Sequence, residues 1–221
     1  MKKYPAEMPV KLGYALSNVK VMVLVSGGGS NLQVLLDAEK SGVFAGGSIS
    51  LVVSDRPGVF ALERAQTTGV KTFVAEPNKN IPKEQRRQEL SDRILGLAAN
   101  AQIDLIVLAG FLSILAGDIV EEYSGRMINI HPALLPKFGG EGMYGEHVHR
   151  AVLAAGETES GCTVHLVDAG TDTGPTLLQR KVPVLPGDTP ASLAERILRE
   201  EHIAIVEGVN MIIEYKIGEV S

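Results

Sequence analysis

Residues Lys20–Ser41 read KVMVLVSGGGSNLQVLLDAEKS. Lys20–Ser26 is a continuous, Val-rich apolar run of the kind expected for a central parallel strand buried on both faces. It empties into Gly27-Gly28-Gly29-Ser30-Asn31, after which Leu32, Leu35, Leu36 and Ala38 recur at helical spacing up to Ser41. A strand passing through a glycine turn into a helix gathers backbone N–H groups at the helix N-terminus, and glycines let an anion approach them. Ser30 or Asn31 can cap the helix or touch the anion directly. A Walker A loop would need a Lys after the last glycine, and a dinucleotide fingerprint a third glycine at position 32, which is Leu. Asp55, ending the second strand, could still mimic the acidic ribose partner. The turn therefore fits one phosphate better than a pyrophosphate. The bland alternative is a turn that serves chain geometry alone.

Working outward, Ile49–Ser54 and Lys71–Val74 read as strands, with a helix over Val59–Thr67 between them that Gly69 closes. Glu76–Pro82 is loop-like, Glu84–Ala99 a charged amphipathic helix, Leu105–Ala109 a buried strand and Ile114–Tyr123 a short helix. Met127–His131 is a fifth strand. Five strands alternating with helices predict an α/β fold: an open, mostly parallel twisted sheet with helices on both faces. Lys137–Glu146 holds four glycines and is expected to be a mobile surface loop. His147–Ala155 then reads as a helix, and Gly161–Val167 and Thr176–Val184 as closely spaced strands, an antiparallel addition to the sheet. A long helix runs from Pro190 to about Ile213. Residues 1–18 lack periodicity and read as an N-terminal extension. Residues 19–221 read as one domain, softly divided near residue 110 into a nucleotide-binding-like half (19–110) and a half carrying the chemistry (111–221).

Composition narrows the function classes. The chain has 221 residues, 45% hydrophobic and 5% aromatic with no Trp, so one large aliphatic core is expected. The net charge of −5 and the absence of long basic runs argue against bulk nucleic-acid or anionic-membrane binding. A single cysteine, Cys162, leaves no internal disulfide and sits in an apolar run, as a buried structural thiol would. No run approaches the ~20 apolar residues of a membrane span, and the N-terminus has no apolar leader core, so a cytoplasmic protein is expected.

The chemistry gathers at Met127–Pro136, MINIHPALLP. Pro132 stops the strand, and alternation puts Asn129 and His131 on one face at its end. An amide N–H and an imidazolium N–H are donors suited to a developing oxyanion. The bland reading is a polar strand end satisfied by local hydrogen bonds. Downstream, Asp168-Ala169-Gly170-Thr171-Asp172-Thr173-Gly174-Pro175 is dense in turn formers, and Asx turns alone would account for Asp168 and Asp172. The functional reading holds Asp172 against Asn129 and His131, where a carboxylate stabilises an imidazolium and accepts a proton directly or through water. The trio lacks a Ser or Cys nucleophile, and the chain lacks HExxH or clustered Cys/His spacing, which disfavours a metal hydrolase. Such a site implies direct attack of one substrate on another.

The segments VLVSGGGSNLQ, DLIVLAGFLSIL, INIHPALLPKF, TVHLVDAGTDTGP and EEHIAIVEGV stand in this order from Val23 to Val209. In that order they resemble the phosphoribosylglycinamide formyltransferase family, within the folate-dependent formyltransferase superfamily. The resemblance implies a Rossmann-like formyltransferase fold and attack of the amine of glycinamide ribonucleotide on the formyl carbon of 10-formyltetrahydrofolate, a co-substrate, with no metal. It implies that Asn129 and His131 stabilise the tetrahedral oxyanion, that Asp172 pairs with His131 and relays the proton, and that His165 stands behind them. It further implies that Gly28, Gly29, Ser30 and Asn31 hold the ribonucleotide phosphate, Pro132 lines the substrate channel and Glu201 bonds the ribose hydroxyls. Leu112, Ser113, Ile114 and Leu115, with Val167 and Asp168, would wall the pterin slot. Lys83 stands where the family often has a basic phosphate contact, although it equally suits a solvated helix start. Glu201 is the expected ligand of its helix and His202 a structural neighbour.

Two departures flank the implied folate side: Ser113 stands where the family often has Arg, and the loop GGEGMYGEHVH is several residues longer than common versions. The expected partners are small molecules, with no nucleic acid and no membrane, in a monomer or homodimer. A methionyl-tRNA formyltransferase would add an RNA-binding domain, a formyltetrahydrofolate hydrolase a regulatory one; neither is expected here. A sugar N-formyltransferase would use the same trio, whereas a non-catalytic nucleotide binder would use the glycine turn and Asp55 without it.

Overall fold

A computed structural model describes residues 18–218, and side chains up to Glu214. The expected N-terminal extension, all but its last residue, lies outside them. Seven strands form one sheet in the order β3-β2-β1-β4-β5-β6-β7. They are β1 (Val19–Val25), β2 (Gly47–Ser54), β3 (Lys71–Val74), β4 (Leu105–Leu108), β5 (Met127–His131), β6 (Glu159–Leu166) and β7 (Thr176–Pro183). The first five pair in parallel, and β6 and β7 add antiparallel to β5. The helices are α1 (Ser30–Lys40), α2 (Phe60–Thr67), α3 (Lys83–Ala101), α4 (Asp118–Glu122), α5 (Glu146–Ala154) and α6 (Pro190–Gly218).

Alternation along the strands divides the interior into two cores. Val19, Val21, Val23 and Val25 of β1 enter a core that they share with α1, α2, α5 and α6, while Met22 and Leu24 enter another, shared with α3 and α4. Being apolar on both faces is what makes β1 central. Each helix reaches its core through one stripe, such as Leu90, Ile94 and Ala98 of α3. Helix α6 opens on Pro190 at its first position, where the missing N–H costs nothing. Ser192 and Thr189 cap it reciprocally through Thr189 N–H to Ser192 Oγ at 3.0 Å and Ser192 N–H to Thr189 Oγ1 at 3.1 Å.

One expected element is shorter. Helix α4 begins at Asp118 rather than Ile114, because Gly117 takes a left-handed φ of 71° that ends the preceding irregular segment. Residues 111–117 are therefore loop, and they run along the carboxyl end of the sheet.

Candidate active site

Strand β5 has the same two-faced pattern as β1 until it ends. Ile128 and Ile130 join the α5/α6 core and Met127 the α3/α4 core. Asn129 and His131 follow Met127 on its face but join neither core. In β6, Cys162, Val164 and Leu166 enter the α5/α6 core, which leaves His165 on the other face, opposite Asn129 in the ladder. Polar side chains thus collect where a helical cover is missing, and the space over them is a cavity of about 840 Å³. Its lining comes from α1, the first turns of α3, the segment after β4, the end of β5, the 140–145 loop, the 170–172 turn and α6, at the carboxyl ends of the parallel strands. Ligands of open α/β sheets settle there, beside the point where the strand order reverses.

Asp172 reaches into this cavity from a left-handed backbone position, φ 58°. Its Oδ1 accepts from Asn129 Nδ2 at 3.3 Å, its Oδ2 accepts from Gly140 N–H at 3.0 Å, and His131 Nδ1 lies 3.5 Å from Oδ2. Burial alone would raise the Asp172 carboxyl. Hydrogen bonding by a protonated His165, the positive form of His131 and the Gly140 N–H outweigh it and hold the group below the ordinary carboxylate range. Asp168, by contrast, is spent locally, accepting from Gly170 N–H and the Thr173 hydroxyl. The Asx-turn reading holds for Asp168 and not for Asp172.

Both imidazoles have one nitrogen fixed by a carbonyl. His131 Nε2 donates to Phe138 O at 2.8 Å and His165 Nδ1 to Leu166 O at 2.9 Å. A carbonyl only accepts, so each of these nitrogens carries the proton. His165 Nε2 is then an acceptor for Asn129 Nδ2 at 3.1 Å. Burial lowers His131 despite the nearby Asp172, so its ring is neutral at neutral pH and Nδ1 is the nitrogen left to gain or lose a proton. His165, expected behind the trio, touches Asn129 directly and lines the cavity.

Of the residues singled out in the sequence, Asn31, Lys83, Leu112, Ser113, Ile114, Leu115, Asn129, His131, Pro132, His165, Val167, Asp168, Asp172 and Glu201 line this one cavity. Gly28, Gly29 and Ser30 do not; they form the turn beside it. The cap of α1 is Gly29, with φ 71° and no side-chain bond, so neither Ser30 nor Asn31 caps the helix. Asn31 instead donates from Nδ2 to Glu201 Oε2 at 3.0 Å, and both residues are buried. Burial pushes the Glu201 carboxyl up, and the Asn31 bond only partly opposes it. Ser113 turns its hydroxyl to Asp55 at 2.7 Å, so Asp55 is occupied and stands outside the cavity. Burial of Cys162 beside Glu201 pushes its thiol up to about 12, an inert packing group.

The 137–146 loop is tied into the site even though most of its residues stay exposed. It supplies the Phe138 carbonyl and the Gly140 N–H, and its Glu141 pairs with Lys83 and with Arg87, at 3.2 Å from the latter. Glycine content gave no sign of these contacts, since two of the three come from the backbone. Among the described residues no group of three or more His, Cys, Asp or Glu is arranged to hold a metal ion, and no helix is long and apolar enough to cross a membrane.

A buried carboxylate–imidazole–amide set over a cavity of this size, on an open α/β sheet, is the layout of an enzyme acting on small molecules. The chain belongs to the formyl transferase family, whose model matches residues 19–209. It is 39% identical to the phosphoribosylglycinamide formyltransferase of Escherichia coli (strain K12), over 83% of this chain and 82% of that protein. It is 43% identical to the trifunctional purine biosynthetic protein adenosine-3 of Drosophila melanogaster over 88% of this chain, which spans only 14% of that longer protein. The crystal structure of glycinamide ribonucleotide transformylase 1 from Symbiobacterium toebii superimposes with a TM-score of 0.81 at 36% identity, covering 92% of this chain and 93% of that one.

Proposed function

We propose that the protein transfers the formyl group of 10-formyltetrahydrofolate to the amine of glycinamide ribonucleotide, giving formylglycinamide ribonucleotide and tetrahydrofolate in purine biosynthesis. The observation that carries this is the reach of Asp172 to Asn129 and His131 inside one cavity. The neutral amine attacks the formyl carbon, and the carbonyl oxygen becomes an oxyanion. Asn129 spends its two amide N–H groups on Asp172 and His165; the longer contact, 3.3 Å to Asp172, is the one the oxyanion replaces. Asp172, held ionised, takes the proton that the attacking nitrogen must lose and passes it, directly or through water, toward the departing folate nitrogen. A proton gained by His131 at Nδ1 faces Asp172, and the positive charge of the imidazolium beside the site favours the oxyanion. Glu201 and Asn31 bind the ribose, the turn Gly28–Ser30 the phosphate, and Lys83 is a basic contact. The segment Leu112–Leu115 with Val167 and Asp168 walls the pterin.

A spectroscopic assay of formyl transfer tests the reading, with glycinamide ribonucleotide offered beside amino sugars. Turnover confined to the ribonucleotide is the expected result. Equal or better turnover of an amino sugar would move the protein to another branch of the family, and NAD binding without transfer would remove the enzyme reading.

A further inference from the structure

The glycine turn is held from one side by helix α2. Ala61 N–H donates to Gly27 O at 3.1 Å, and Arg64 Nε donates to Gly28 O at 2.8 Å. In a trans peptide the carbonyl and the following N–H point in opposite directions. Two successive carbonyls drawn toward α2 therefore turn the N–H groups of Gly28 and Gly29 away from it. Gly29 O is taken by the first bond of α1, from Gln33 N–H at 2.9 Å. Among the described residues the N–H groups of Gly28, Gly29, Ser30 and Asn31 have no protein partner. Asn31, which lines the cavity, also keeps a buried and unpartnered Oδ1.

Arg64 is itself fixed at three points. Besides the Gly28 carbonyl it donates from Nη1 to Gln33 Oε1 at 2.8 Å, and its guanidinium stacks 4.6 Å from the Phe60 ring centroid. The packing leaves the turn no slack: a Cβ on Gly29 would lie 2.6 Å from Ala61 Cβ. We propose that Arg64 is a positioning residue for the ribonucleotide phosphate, acting by locking the Gly28–Gly29 peptide plane so that its N–H faces the anion. This rests on the phosphate reading of the turn. The guanidinium spends one N–H on the backbone and one on α1, so it acts on the anion through the peptide it orients and through its positive charge behind the turn.

The test compares Arg64→Met, Arg64→Lys and the wild-type enzyme on glycinamide ribonucleotide and on its dephosphorylated nucleoside. Arg64→Met is expected to raise KM for the ribonucleotide about tenfold or more, with kcat and the KM for formyl-folate within about twofold. Its preference for the phosphorylated over the dephosphorylated substrate should shrink by the same factor. Arg64→Lys, which keeps a charged donor, should recover most of the loss; a general packing defect would not be rescued in this way. An unchanged ribonucleotide KM in Arg64→Met, with wild-type preference for phosphate intact, overturns the role of Arg64 and leaves the phosphate reading standing. A wild-type enzyme that does not distinguish the two substrates overturns the phosphate reading itself. Should Arg64→Met fail to fold, Gln33→Met loosens the other end of the same clamp, and an unchanged KM there counts against the proposal equally.

Discussion

The two faces of the β5–β6 pair share one backbone and behave oppositely. On one face Ile128, Ile130, Cys162, Val164 and Leu166 are sealed beneath α5 and α6; on the other, Asn129, His131 and His165 stand over a cavity. Side-chain alternation puts both sets on the same strands, and the difference lies in the cover. The core shared with α3 and α4 takes in Met127 but neither Asn129 nor His131, and there the first turns of α3 wall a cavity instead, while α6 packs Leu193 to Ile213 into the apolar face. If the polar face carries the chemistry as proposed, one face of the ladder serves stability and the other catalysis, and substitutions should separate the two.

The sharpest test is Asp172→Asn. Loss of the ionised acceptor should lower kcat about 10²- to 10⁴-fold while KM for the ribonucleotide stays nearly constant, if the group moves a proton, as proposed, rather than binding sugar or phosphate. Unaltered turnover would break the comparison outright. Asn129→Ala should raise the barrier by about 2.7–4 kcal/mol, read as a fall in kcat, if its amide is a principal oxyanion donor. On the sealed side, Ile205 of α6 is fully buried. Ile205→Ala should cost about 2–5 kcal/mol of stability, on the order of 10 °C in the melting midpoint, with kcat within about twofold. A large kcat loss there would show the faces to be coupled. The smallest effect is expected of Glu201→Gln, which keeps an acceptor for Asn31 and removes a buried charge. The folded-state pKa of Glu201 is raised above its ordinary 4.5, so its contribution to stability is complete below 4.5 and is lost as pH rises through the raised value. The midpoint of the variant should therefore gain on the wild type as pH climbs from 4.5 to neutrality. A difference independent of pH would contradict the shift.

Most of the strand plan could be read from residue order, since β1, β4 and β5 are short apolar runs with turn formers after them. The shared face of Asn129 and His131 was legible because period two fixes which side chains of one strand lie together, whereas the choice of Asp172 over Asp168 in the acidic turn came from the family resemblance. Three things were not legible. The opposition of Asn129 and His165 depends on register between strands 36 residues apart, which no local pattern specifies. The extent of α4 turned on a single glycine, Gly117, adopting a left-handed backbone. The 137–146 loop reads as polar surface because it acts through the Phe138 carbonyl and the Gly140 amide, groups every residue owns. Glu201 did leave a local trace: Leu193, Ile197, Glu201, Ile205, Val209 and Ile213 recur every four residues, and the one acid sits in an otherwise apolar stripe of α6.

The clasp of Glu141 on Lys83 and Arg87 has a thermodynamic corollary. An anion that settles on those two cations does not join vacant charges; it exchanges with a carboxylate already there. The tally of ion pairs is nearly conserved in such a swap, so ionic strength, which weakens attraction on both sides of the exchange, should shift its equilibrium much less than it shifts capture by bare lysine and arginine.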